Sequence, residues 1–244
     1  MASSHWGGYA RRTAKIIQNE ASKMVRMAGA DEISHAARPL FTLNSQAEVE
    51  QFAIGSDQDI GGYTTVKLEL DEQRRNDEGK PTGKFSGEMR LQVRPGLENK
   101  IRAGYTGFRN KRRPTLFGEQ MEDLSNHSYL GLRVRGAGDP RTRDCYFVNL
   151  QTDGAISTDL WQHRLYFKRT DGDWENVYIP LQNFVLTNFG EMAESQIEMY
   201  REKVRSIGIS MLGGNSGVAG EYELGIDSIW AANERDLDQE DSRS

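Results

Sequence analysis

Hydrophobic and polar positions alternate with a period of two through much of the chain. The pattern is most regular between residues 129 and 167. Leu130, Leu132 and Val134 share one parity against Tyr129, Gly131, Arg133 and Arg135. Tyr146, Val148 and Leu150 alternate with Cys145, Phe147, Asn149 and Gln151, and Trp161, His163, Leu165 and Phe167 oppose Leu160, Gln162, Arg164 and Tyr166. Successive side chains of a strand point to opposite faces. These runs therefore predict three successive strands of one sheet, with an apolar face and a face decorated by Arg, Asn, Gln, His and aromatic groups.

Similar alternation predicts further strands over 39–43, 63–70, 84–93, 103–109, 174–181, 207–211 and 222–230. Between them, 55–62 reads as a tight glycine-rich loop, 71–83 as an exposed, mobile charged loop, and 213–220 as a flexible turn. Ser45 followed by Glu48 is a capping-box pattern that opens a short helix ending near Phe52. A second loop helix is expected over 194–204, with Ile197, Tyr200 and Val204 on one side. About nine or ten short strands with closely spaced turns predict an all-β fold, an antiparallel jelly-roll β-sandwich over residues 39–232. Two appendages flank it. Residues 1–38 hold an amphipathic helix over 9–28, striped by Ile17, Ala21, Met24, Val25 and Ala28, and a linker. Residues 233–244 read as an acidic disordered tail.

At 36% hydrophobic and 27% charged, the 244-residue chain contains no apolar run near the ~20 residues that cross a bilayer, so any membrane association is expected to be peripheral. Cys145 is the single cysteine, which excludes an internal disulfide and suits a packed thiol in an apolar strand. Charge changes the picture more. Residues 1–30 hold Arg11, Arg12, Lys15, Lys23 and Arg26 against Glu20 alone, although the whole chain carries −5. A basic head on an acidic body argues against general nucleic-acid binding. The head has the signature of a mitochondrial targeting segment, and equally suits a helix that packs on the body or touches a membrane.

Candidate chemistry is sparse. The run Gly214-Asn-Ser-Gly-Val218 lacks the last glycine of a nucleophile elbow, and Gly136-Ala-Gly138 fails as a dinucleotide fingerprint. No Walker loop occurs, and His5, His35, His127 and His163 have no ligand-like spacing to one another or to Cys145. Asp57 or Asp59 would suit a structural calcium, but loop turning explains them equally well. No catalytic, cofactor-binding or metal-binding residues are therefore assigned, and binding is the expected class. Arg133, Arg135, Asn149, Gln151 and His163 are the candidate partner-binding set, placed on one sheet face rich in planar hydrogen-bonding groups. A network among themselves beneath covering loops is the alternative.

Several runs resemble the complex I intermediate-associated protein family: Phe52-Ala-Ile-Gly-Ser-Asp-Gln-Asp-Ile-Gly-Gly62, Arg112-Arg-Pro-Thr-Leu-Phe-Gly118, Tyr129-Leu-Gly-Leu-Arg-Val-Arg135, Tyr146-Phe-Val-Asn-Leu-Gln-Thr152, Asp159-Leu-Trp-Gln-His-Arg-Leu165, Thr187-Asn-Phe-Gly190 and Ser206-Ile-Gly-Ile-Ser210. They fall in order across roughly residues 39 to 232. At Trp161 the sequence departs from the His expected in animal members. The resemblance implies a galactose-binding-like jelly roll and a non-catalytic chaperone or assembly factor of mitochondrial NADH:ubiquinone oxidoreductase. Such a protein would sit in the matrix, peripheral to the inner membrane, and hold a membrane-arm intermediate before leaving the finished complex. Its implied partners are membrane-arm subunits and other complex I assembly factors, with no nucleic acid. The fold alone also suits a carbohydrate- or small-ligand-binding module.

Overall fold

The computed structural model describes residues 3–25, 36–98, 100–154, 156, 158–188, 190–214 and 216–241. In chain order its elements are α1 (Ser3–Val25), β1 (Arg38–Thr42), α2 (Gln46–Val49), β2 (Phe52–Ser56), β3 (Lys67–Arg75), β4 (Pro81–Met89), β5 (Tyr105–Asn110), β6 (Pro114–Thr115) and β7 (Gly118–Glu119). There follow β8 (Tyr129–Gly138), β9 (Tyr146–Thr152), β10 (Asp159–Arg164), β11 (Glu175–Pro180), β12 (Val185–Asn188), β13 (Glu191–Met192), β14 (Val204–Leu212), β15 (Gly220–Ala232) and α3 (Glu234–Asp241).

Two antiparallel sheets face each other in a β-sandwich of jelly-roll type. The first runs β11-β8-β15-β4-β3, with β1 also paired to β15; the second runs β13-β12-β10-β9-β14-β5-β2. Strand alternation supplies the core directly. Leu130, Leu132, Val134, Tyr146, Val148 and Leu150 are all fully buried on the inner faces. One line of rings crosses between the sheets: Phe41 to Phe52 at 5.4 Å, Phe52 to Phe108 at 5.6 Å, Phe108 to Phe85 at 5.0 Å and Phe85 to Tyr222 at 5.2 Å. The first three contacts are edge-to-face, the arrangement that the ring quadrupole favours.

The structure corrects four expectations. The strands β8, β9 and β10 do not form one sheet, because β8 belongs to the first and β9 and β10 to the second. A 3-10 turn over Pro140–Cys145 carries the chain across, its first turn held by Asp139 accepting from the Arg141 N–H at 2.9 Å. The expected loop 71–83 is mostly strand, since β3 and β4 continue to Arg75 and from Pro81. Asn76 closes that hairpin, its Oδ1 accepting from the Glu78 and Lys80 N–H groups. Over 194–204 no α-helix forms. Gln196 instead hydrogen-bonds both backbone groups of Leu186, and the 201 and 204 carbonyls accept from Leu124 and Glu122, so tertiary pairing displaces the helical ladder. The tail expected to be disordered begins with α3, whose entry is fastened by the Asn233 N–H donating to Asp236 Oδ2 at 2.8 Å. Glu234 and Asp236 in its first turn complement the helix dipole.

The N-terminal helix is seated on the body. Arg12 Nε donates to the Pro114 carbonyl at 2.8 Å, and the Leu116 N–H donates to Thr13 Oγ1 at 3.0 Å. Ile17 of the expected stripe is exposed. The side chains of Ala21, Met24, Val25 and Ala28, and most of the linker, lie outside the described residues.

Candidate functional site

The five-residue face expected from the sequence is divided between the two outer surfaces and the core side of the sandwich. Arg133 and Arg135 project from the outer face of the first sheet. Arg135 donates to Glu223 Oε1 at 2.6 Å and lies 5.9 Å from the centre of the Trp174 ring, which leaves its side chain 4% exposed. Arg133 donates to Asn176 Oδ1 at 3.1 Å and to Asp77 Oδ2 at 2.6 Å, so it clamps the β3–β4 hairpin over β8. The partners of this pair, Asn176, Asp77 and Glu223, all lie outside the expected set, so a network among the five residues is not what holds the two arginines. A guanidinium already charge-paired and covered by an indole has little left to offer a partner.

Asn149 and Gln151 lie on the outer face of the second sheet. Register sets a row across five strands: Gln162, Asn149, Gly208, Arg109 and Ala53 are successive neighbours. Gln162 Nε2 donates to Asn149 Oδ1 at 2.8 Å, and Asn149 Nδ2 donates to Ser210 Oγ at 2.9 Å, which fixes both amides flat on the sheet. Beside them the surface sinks into a depression of ≈410 Å³ floored by Gly55, Gly107 and Gly208. A Cβ at Gly208 would lie 2.2 Å from the Phe108 carbonyl oxygen, so the close strand approach demands glycine there. Sequence reasoning misses Gln162, Ser210 and the glycine floor, because they meet only through the β10-β9-β14-β5 order.

His163 shares the inner parity of Trp161 and Leu165. It packs 5.6 Å from the Phe184 ring, with Nδ1 2.6 Å from the Arg164 carbonyl oxygen. Burial lowers its pKa, and the Arg164 carbonyl opposes that shift only in part. The unfolded value is about 6.5. Protonation therefore favours the unfolded chain. The contribution of neutral His163 is complete above the unfolded pKa and is lost as pH falls through it towards the folded value. His163→Phe, which keeps a ring beside Phe184, is expected to weaken the loss of stability between about pH 7.5 and about pH 5.5. Urea unfolding of both proteins at the two pH values measures it, and parallel losses would contradict the assignment.

The other candidates are structural. Asp57 is fully buried and accepts from the Thr64 N–H at 2.9 Å, from Thr64 Oγ1 at 2.8 Å and from the Gly104 N–H. Loop fastening accounts for its oxygens. Cys145 is buried, with Sγ 3.4 Å from Ser216 Oγ. His127 is buried with Nε2 3.2 Å from the Ala36 carbonyl oxygen, whereas the side chains of His5 and His35 lie outside the described residues. Among the described residues no three His, Cys, Asp or Glu side chains converge as a metal site requires. Nor is any described helix long and apolar enough to cross a membrane.

The sequence profile of the family described as Complex I intermediate-associated protein 30 (CIA30) matches residues 41–226. The protein named "Complex I intermediate-associated protein 30, mitochondrial" in Neurospora crassa is 40% identical over 154 residues, which is 63% of this chain and 52% of that protein. The protein of the same name in Mus musculus is 26% identical over 200 residues, 81% of this chain and 56% of that one. The chain thus spans about half the length of the curated relatives it matches. Among solved structures, a family 11 carbohydrate-binding module from Clostridium thermocellum, in complex with a β-1,3-1,4-mixed-linked tetrasaccharide, superposes with a TM-score of 0.56. It covers 82% of this chain and 98% of the module at 13% identity, a likeness of fold alone.

Proposed function

Because the chain belongs to the complex I intermediate-associated protein 30 family, we propose that it is a non-catalytic assembly factor of mitochondrial respiratory complex I. In this proposal it binds a membrane-arm intermediate in the matrix, peripheral to the inner membrane, together with other assembly factors, and is absent from the finished complex. The observation that carries the proposal is the family match, which spans the sandwich from β1 into β15. The names of the fungal and murine relatives, both mitochondrial, support it. The physical role is mass action. A protein that binds the intermediate and neither its unfolded subunits nor the completed enzyme stabilises that intermediate until the next module displaces it.

The partner-facing surface in this reading is the outer face of the second sheet, where Asn149, Gln151 and Gln162 present amides beside the glycine-floored depression. The first sheet's Arg133 and Arg135 are engaged internally. His163 acts from the core side. Affinity capture of the tagged full chain from gently solubilised mitochondria, followed by mass spectrometry, tests both levels. Enrichment of membrane-arm subunits without the completed NADH-oxidising arm is expected, with loss of that enrichment in the folded variant Asn149→Arg. Recovery of no complex I subunit would overturn the assembly role. Full capture by Asn149→Arg would move the contact elsewhere.

A further inference from the structure

The basic run 110–114 and the N-terminal helix, far apart in sequence, meet in the structure. Where α1 docks on the β6–β7 hairpin, a cleft of ≈530 Å³ opens, lined by Arg12, Lys15, Lys111, Arg112 and Arg113 and, among the described residues, by no acidic side chain. Its cations are incompletely satisfied. Lys111 Nζ donates to the Glu50 carbonyl at 2.8 Å and Arg12 to that of Pro114, both neutral acceptors. Arg113 pairs with Glu122 at 2.8 Å through Nη1 and lies 5.5 Å from the centre of the Phe41 ring, so it adds charge to the wall and no open donor. Lys15 and Arg112 have no partner among the described residues. Guanidinium groups held with donors unfilled around a recess suit a phosphate oxygen.

Large apolar side chains project from the same joint. Phe117, at the turn of the hairpin, is 85% exposed, and its neighbour Leu116 is also exposed. The turn is held rigid by Thr115 Oγ1, which donates to the Gly118 carbonyl and accepts from the Phe117 N–H, so Phe117 is presented and not merely loose. Thr13 is bound to Leu116, and one helical turn beyond Thr13 stand the exposed Ile16 and Ile17. Apolar tips beside unpaired cations are how peripheral proteins meet an interface: rings enter the acyl boundary while Lys and Arg take headgroup phosphates. Charge supports the same occupant. The chain as a whole carries −5, so an anionic surface repels the body on average and is met most favourably by this cationic end.

We propose that the joint of α1 with the β6–β7 hairpin is a docking surface for an anionic phospholipid bilayer, seating headgroup phosphates in the cationic cleft and inserting Phe117 and Ile17. This deepens the peripheral placement proposed above and rests on it for which membrane is met. Co-sedimentation of the full chain with phosphatidylcholine vesicles, with and without phosphatidylglycerol, provides the test. Binding only to the anionic vesicles is expected, weakening as salt rises. Lys15→Gln with Arg112→Gln removes two cations that have no partner among the described residues and should weaken it about thirtyfold, and Phe117→Ser about tenfold, with unchanged thermal midpoints as the folding control. Equal binding to neutral vesicles, wild-type affinity of the double variant, or saturable inorganic phosphate binding without vesicle binding would each overturn the proposal. Vesicle binding by a chain that captures no complex I subunit would support the surface while removing the assembly role. Capture retained by a double variant that no longer binds vesicles supports both.

Discussion

Phe85→Ala is expected to destabilise the protein by about 3–5 kcal/mol, a large part of the 5–15 kcal/mol typical of a whole domain. Phe85 is fully buried at the middle of β4 and touches rings in both sheets, 5.0 Å from Phe108 and 5.2 Å from Tyr222. The inward positions on either side of it along β4 are Gly83 and Gly87, so no neighbour on its own strand can swing into the space. Leu68 and Leu224 flank it across the sheet, but both are held by their own strand pairing. Poor collapse is the condition under which a large-to-small change reaches the upper end of its range. Phe117→Ala is the contrast. The same chemical deletion at a residue 85% exposed should stay within about 0.5 kcal/mol. Urea denaturation of the two variants against wild type reads both, and equal midpoints would show that the ring line does not tie the sheets together.

The period-two signal makes each strand's core face legible in the sequence. Leu130, Leu132, Val134, Tyr146, Val148 and Leu150 are inward-facing as the alternation requires. Alternation fixes only which residues share a face of their own strand. It carries no information on which sheet a strand joins, and that is why Arg133 and Arg135 part from Asn149 and Gln151: the turn over Pro140–Cys145 crosses the sandwich. His163 leaves the expected face for a related reason. Its chemistry groups it with the amides, whereas its parity with Trp161 and Leu165 turns it inward near the end of β10. Helical periodicity fails over 194–204 because Met199 and Val204 turn into the core, while Ile197 and Tyr200 of the expected stripe stay exposed and the backbone bonds laterally. The family resemblance agrees with the jelly roll that strand count and turn spacing predict, and adds what periodicity lacks, the expectation of an assembly role. Neither that resemblance nor strand periodicity brings Arg12 and Lys15 together with 111–113. That meeting depends on how α1 lies across β6.

Asp57→Ala should cost nearly as much as the loss of Phe85, about 3–5 kcal/mol, by a different mechanism. The Asp57 carboxylate is fully buried and serves three chain segments at once. It fastens its own turn after β2, the approach to β3 through both donors of Thr64, and the entry to β5 through the Gly104 N–H. Gly62 packs so closely on the carboxylate that a Cβ there would lie 2.3 Å from Asp57 Cγ. Alanine would leave two buried backbone N–H groups unpaired, each costing about 1–3 kcal/mol, and would free Thr64 Oγ1, which also bridges to the Arg90 carbonyl at 3.0 Å. Asp57→Asn separates hydrogen bonding from shape. One amide oxygen still accepts, but the NH2 group now faces donors, so an intermediate loss is expected. Hydrogen exchange adds a local readout, since the Thr64 and Gly104 amides should lose protection in both variants, more in alanine than in asparagine. Unchanged protection at Gly104 in Asp57→Ala would mean that β5 is anchored by its ladder with β14 and β2 alone, and that the carboxylate holds only the turn.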